Sequence, residues 1–112
     1  MAFTPYHNIV GSTAQSVELI GLNDTAKASI KSIQITNISL SAAATVDLFL
    51  YKDSTDTTAE EYYYFLRKYQ ISYRDYLILD NIHLLNFDNS STGYSLHIEV
   101  GSADTVDVMI RI

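Results

Sequence analysis

Apolar and polar side chains alternate with a period of two along much of this chain. In SIQITN, Ile33 and Ile35 fall on one face while Ser32, Gln34 and Thr36 fall on the other, because successive strand side chains point to opposite sides of a sheet. A small-residue connection from Ser41 to Thr45 follows. The alternation then resumes with Val46, Leu48 and Leu50 opposite Asp47, Phe49 and Tyr51, so this second strand carries aromatics on its polar side. Later, Tyr94, Leu96, Ile98 and Val100 alternate with Ser95, His97 and Glu99; the turn GSADT intervenes; Val106, Val108, Ile110 and Ile112 alternate with Asp107, Met109 and Arg111. Two strands joined so tightly predict a hairpin whose second strand is locked into a sheet.

The stretches EEYYYFLRKYQ and YRDYLILDNIHLLNF carry competing signals. Thr58 as N-cap, Glu61 three residues on, early acids and the late pair Arg67 and Lys68 would suit the start and dipole of a helix. Four aromatics in succession fit a pleated surface better than a short helix, so a strand is favoured. A further strand near residues 16–20 brings the count to seven or eight. Many short strands at even spacing predict an all-β fold, a two-sheet antiparallel β-sandwich for which a jelly roll is one arrangement. Residues 16–112 form its single domain, and residues 1–15 are a short N-terminal arm or edge segment. The expected core holds Ile33, Ile35, Val46, Leu48, Leu50, Leu96, Ile98, Val106, Val108 and Ile110.

With 112 residues the chain can bury one core but hardly two. Its net charge of −6 and its seven scattered Lys and Arg argue against nucleic acid, whose phosphates are neutralised by clustered basic residues. The absence of cysteine excludes a disulfide framework and any thiolate ligand or nucleophile. No run approaches the roughly 20 apolar residues of a membrane helix. The opening MAFTPYHNIVG lacks a basic and then apolar leader, so synthesis in a cytoplasm and a soluble protein are expected.

The search for chemistry finds little. His7, His83 and His97 are far apart and lack a second ligand at a metal spacing; His97, between Ser95 and Glu99, reads as a surface residue. The loop DSTDTTAEE gathers Asp53, Asp56, Glu60 and Glu61, but the spacing and turn glycine of an EF-hand are missing, so a solvated acidic loop is favoured over a Ca²⁺ site. The four glycines stand singly, which gives no phosphate-binding loop. No catalytic residue, no cofactor and no metal are therefore expected.

Tyrosine is the abundant feature, with nine residues. In YYYFLRKY, Tyr62 and Tyr64 share one face of a strand and Tyr63 and Phe65 the other; one face is core, and the other needs a cover. Tyrosine suits interfaces because it buries a large area and keeps a hydroxyl for hydrogen bonding. The N-terminal MAFTPYHNIV could likewise act as a docking arm. Candidate protein-interface residues are Phe3, Tyr6, Tyr62, Tyr63 and Tyr64.

From IKSIQITNISLSAAATVDLFLYKD through YYYFLRKYQISYRDYLILDNIHLLNF to YSLHIEVGSADTVDVMIRI, the chain resembles small virion structural proteins of tailed bacteriophages. The shared order is a strand ending in ITN, a small-residue turn, a VDLFLY-like strand, a Tyr-rich strand, a YLILD and IHLL pair, and a closing hairpin. Where such proteins often have a compact Gly-Asp turn before the penultimate strand, this chain has the longer NFDNSSTG. The resemblance implies a non-enzymatic component of a virion, foremost a capsid decoration (cement) protein that binds the major capsid protein or other virion proteins. It further implies a homo-oligomer, with a trimer favoured, and contact with neither nucleic acid nor membrane. The alternatives are a neck or tail accessory protein and a carbohydrate- or receptor-binding module of a phage tail.

Overall fold

The computed structural model describes residues 4–13, 15–39, 41–80 and 86–112. Among them eight strands form: β1 (Tyr6–Val10), β2 (Ser16–Ile20), β3 (Ser32–Asn37), β4 (Ala44–Lys52), β5 (Glu61–Ile71), β6 (Tyr76–Leu79), β7 (Ser95–Val100) and β8 (Thr105–Arg111). A short 3₁₀ turn, Thr25–Ser29, precedes β3 and is capped by the Asp24 carboxylate, which accepts from the Ala26 N–H. The ambiguous segment 61–71 is a strand, in keeping with its aromatic run. The stretch IHLL lies outside the described residues.

The strands build two antiparallel four-stranded sheets, one in the order β1-β8-β3-β6 and the other β2-β7-β4-β5. Every neighbouring pair runs antiparallel. This alternation of strands between two sheets is the jelly-roll arrangement of the β-sandwich. The expected closing hairpin does not form: the tight GSADT turn carries the chain from one sheet to the other, so β7 and β8 do not pair, and each is an inner strand of its own sheet. Tyr6–Val10 is the edge strand beside β8.

Period-two alternation decides what enters the core. Ile33, Ile35, Val46, Leu48, Leu96, Ile98, Val106, Val108 and Ile110 are all buried, joined by Ile9, Leu19, Ile20, Ile30, Ala44, Ile71, Phe87 and Val100. Leu50, near the end of β4, is only partly buried. Ile112 lies beyond the end of β8 and is exposed.

Among the described residues one polar side chain sits fully inside. Asn37, at the end of β3, donates from Nδ2 to the carbonyls of Ala42 (2.8 Å) and Ile71 (3.0 Å), and its Oδ1 accepts from the Ser39 N–H (2.9 Å). The amide therefore ties the end of β3 to the approach to β4 and to the end of β5, and its burial is compensated by hydrogen bonds. A second close packing joins the β1–β2 and β7–β8 turns. The Gly11 N–H donates to the Asp104 carbonyl at 2.8 Å, and a Cβ at Gly11 would lie 1.9 Å from the Gly101 carbonyl oxygen. Only glycine fits that position.

Leu48→Ala is expected to cost about 2–5 kcal/mol through the lost transfer energy and the cavity it leaves, with Leu50→Ala costing less. Asn37→Ala, which strands two carbonyls and an amide, is expected to cost about 2 kcal/mol or more. Urea unfolding of the three variants measures both, and a Leu50→Ala effect equal to that of Leu48→Ala would contradict the assigned burial.

Candidate functional site

The polar side of β4 turns outward from the sandwich and carries Phe49 and Tyr51. The registers of the sheet then decide what stands beside them. Phe49 pairs with His97 of β7 on one side and with Tyr64 of β5 on the other, and His97 pairs in turn with Glu18 of β2. A row of four side chains thus crosses the whole sheet. In the adjacent row Tyr51 stands between Ser95 and Tyr62.

Ring distances show that the aromatics touch. Phe49 lies 5.3 Å from Tyr64, 5.7 Å from Tyr62 and 5.7 Å from the His97 ring, on which it stacks. Tyr51 lies 5.1 Å from Tyr62 and meets His97 edge-on at 5.5 Å. Tyr62 and Tyr64 are nearly parallel, with centroids 6.4 Å apart. Such tilted and offset pairs are the favoured geometries of aromatic quadrupoles. Together with Ser16 and Glu99 these five rings line a groove of ≈ 380 Å³ on the outer face of the sheet.

β5 reaches this register through two β-bulges. Leu48 pairs with Leu66 but Phe49 pairs with Tyr64, so Phe65 is an extra residue; between Val46–Tyr69 and Leu48–Leu66, Arg67 and Lys68 together oppose Asp47. The second bulge places Lys68 in the left-handed region at φ 51°, and the Asp47 carboxylate accepts its N–H. The first bulge lets the consecutive residues Phe65 and Leu66 both pack against the core. Strand β5 is also a sheet edge, and the bulges with Arg67 and Lys68 spoil it as a template for pairing with another strand. Its tyrosines are therefore available through the sheet face.

Carboxylates surround the rings. The Tyr51 hydroxyl donates to Asp53 Oδ1 at 2.6 Å, with Glu60 Oε2 at 3.1 Å, which closes the acidic loop over one end of the groove. The Asp53 bond, then desolvation, then Glu60 push the Tyr51 phenol far above its usual range, and desolvation followed by Glu60 raises Tyr62. At the opposite border the Arg67 guanidinium lies over the Tyr64 ring, 4.4 Å from its centroid.

His97 belongs to this surface as an aromatic ring, whereas its polar sequence neighbours suggested a plain surface residue. The buried Ser95 hydroxyl lies 3.3 Å from the Tyr51 carbonyl and shares a 2.8 Å hydrogen bond with His97 Nε2, which fixes the orientation of the ring. Desolvation against Phe49 and Tyr51 lowers its pKa, and the Glu18 and Asp53 carboxylates offset only part of that.

The sequence-derived interface candidates divide among several places. Tyr62 and Tyr64 belong to the aromatic groove. Tyr63 is on the opposite side of β5, edge-on to Tyr94 at 5.6 Å near the end of the sandwich, and is 54% exposed. Tyr6 pairs across from Met109 on the outer face of the other sheet and is 70% exposed. Phe3 and His83 lie outside the described residues. Among the described residues no three His, Cys, Asp or Glu side chains converge as a metal site would require, and no helix is long and apolar enough to cross a membrane. Comparison with protein-family models, with curated proteins and with solved structures gives no match.

His97 gives a pH dependence with a definite sign. Its lowered folded pKa means that the unfolded chain binds the proton more readily, so stability falls as pH drops from the ordinary value of 6.5 toward the folded value. The ring is expected to titrate below 6.5 by NMR, and the stability advantage of the parent over His97→Gln should shrink across that window. A midpoint at or above 6.5 would show that the ring is solvated.

Proposed function

We propose that this chain is a non-enzymatic virion structural protein of a tailed bacteriophage, foremost a capsid decoration (cement) protein, and that the outer aromatic face of the β2-β7-β4-β5 sheet is its contact surface. One observation carries the reading: none of the nine tyrosines, all of them described, is buried, and three of them, Tyr51, Tyr62 and Tyr64, continue with Phe49 and His97 into a single surface. Exposed contiguous aromatic area is costly to leave in water and is characteristic of protein contacts. The sequence resemblance to small phage virion proteins supplies the setting.

A decoration protein of this kind acts by linkage. It binds the assembled shell and not its separated subunits, so the shell is stabilised by mass action. A homo-oligomer, with a trimer favoured at a symmetry axis, multiplies the effect by bridging several capsid subunits at once. The jelly-roll fold hosts many functions and does not decide between head, neck and tail positions.

A second reading, a carbohydrate- or receptor-binding module of a phage tail, is favoured by the concavity of the aromatic face and by the Ser16, Glu99 and His97 polar groups in it. Saturable and selective binding on a glycan array would favour that module over the structural protein.

The expected outcome is that the protein is found in stoichiometric copies in purified particles of the phage that encodes it, by quantitative mass spectrometry. Particles assembled with Tyr62→Ala,Tyr64→Ala protein should lose most of those copies, because truncating a central interface aromatic costs about 2 kcal/mol or more per contact. Protein that remains free in the lysate while particles form without it would overturn the assignment.

A further inference from the structure

The rings of the groove and the charges around it specify a chemistry. The faces of aromatic rings carry negative potential, and they attract cations best where water is partly excluded. Phe49 is buried at its base and Tyr51 and His97 are half-buried, so part of the groove is shielded. The charged groups on this face are Glu18, Asp47, Asp53, Glu60 and Glu99, against a single guanidinium, Arg67. A second hollow of ≈ 530 Å³ shares Tyr51 and His97 and extends past Glu18, Asp53 and Thr92 toward Lys52, so the acidic face continues across the sheet. The Lys52 ammonium lies over the Tyr94 ring at 5.6 Å.

We propose that this groove receives an arginine side chain presented by a partner protein, with the guanidinium stacked on the Tyr62 and Tyr64 rings and paired with Glu99. The inference rests on the reading of this face as a protein contact surface. Arginine fits better than lysine because its plane stacks on rings and its fork matches a carboxylate bidentately. The molecule already contains a guanidinium on one of these rings, since Arg67 lies over Tyr64 at 4.4 Å at the border of the same surface. The surplus of carboxylates supplies charge complementarity, which orients the partner and excludes acidic surfaces.

His97 tunes the site. It faces Glu18 of β2, Phe49 and Tyr51 of β4 and Ser95 of its own strand, with Asp53 close enough to influence its charge. A neutral imidazole leaves the groove anionic, and a protonated one adds a positive charge against the incoming guanidinium.

The test titrates the protein with an acetylated, amidated Gly-Arg-Gly-Arg-Gly peptide and with versions carrying citrulline or lysine, following the ring resonances of Tyr62, Tyr64 and His97 by NMR. Citrulline keeps the shape and the hydrogen-bonding plane of arginine without its charge. The arginine peptide is expected to shift all three rings, citrulline to weaken binding by about tenfold or more, and lysine to bind more weakly than arginine. Tyr62→Ala,Tyr64→Ala leaves the net charge unchanged and should abolish the effect, and Glu99→Gln should weaken it. Acid should weaken binding in the parent as His97 protonates, and less so in His97→Gln.

Equal binding of the arginine and citrulline peptides, or unchanged binding in the double tyrosine variant, would overturn the proposal. Lysine binding as tightly as arginine would overturn the stacking geometry. The parent-protein resonances make the result independent of how the variants fold. If the peptides fail while the double tyrosine variant is still lost from particles, the contact surface stands and only its arginine chemistry is wrong. If the protein is absent from particles, the virion reading fails whatever the peptides do.

Discussion

The interior of this sandwich accepts aliphatic side chains almost exclusively, and that restriction organises the rest. Two sheets facing each other leave room for Ile, Val and Leu in interdigitating rows, while a phenol placed there would need a hydrogen-bond partner that the core does not offer. Nine tyrosines in a chain of this length must then be accommodated on faces and ends. Strand β4 shows the division within one element: Val46 and Leu48 point in, and Phe49 and Tyr51 point out. The core and the candidate contact surface are the two sides of the same strand.

Much of the core was legible because it depends only on local alternation. The period of two that puts Ile33 and Ile35 on one face also buries them, wherever the neighbouring strands come from. The aromatic surface was legible only in part. The sequence shows that Phe49 and Tyr51 share a side, and that Tyr62 and Tyr64 share a side. That these sides meet, and that His97 completes them, is a matter of cross-strand register between segments far apart in the chain. The register itself turns on the bulges at Phe65 and at Arg67 and Lys68, where alternation is interrupted. The surface position of His97 was legible from its alternation, but its ring neighbours were not, because they come from other strands.

Tyr63 shows the opposite case. Alternation separates it from Tyr62 and Tyr64, and the structure keeps it on the other side of β5, where it meets Tyr94 near the end of the sandwich. Three adjacent tyrosines therefore serve two different surfaces. The strand order was not legible at all, since it depends on which distant segments pair and no local signal encodes that choice.

The placement of the last two strands bears on how the molecule can form. β7 lies between β2 and β4, and β8 lies between β1 and β3. Until both have left the ribosome, β1 and β2 have no neighbour to pair with, and the two sheets cannot close on a common core. Contacts such as Tyr6 with Met109 join segments from nearly opposite ends of the chain, the kind of topology that folds slowly because loop closure must precede the gain from pairing. The chain is thus made largely unfolded and assembled late, with its strand edges open for the duration of synthesis. During that interval solubility rests on chaperones, or on the mutual repulsion of chains at a net charge of −6.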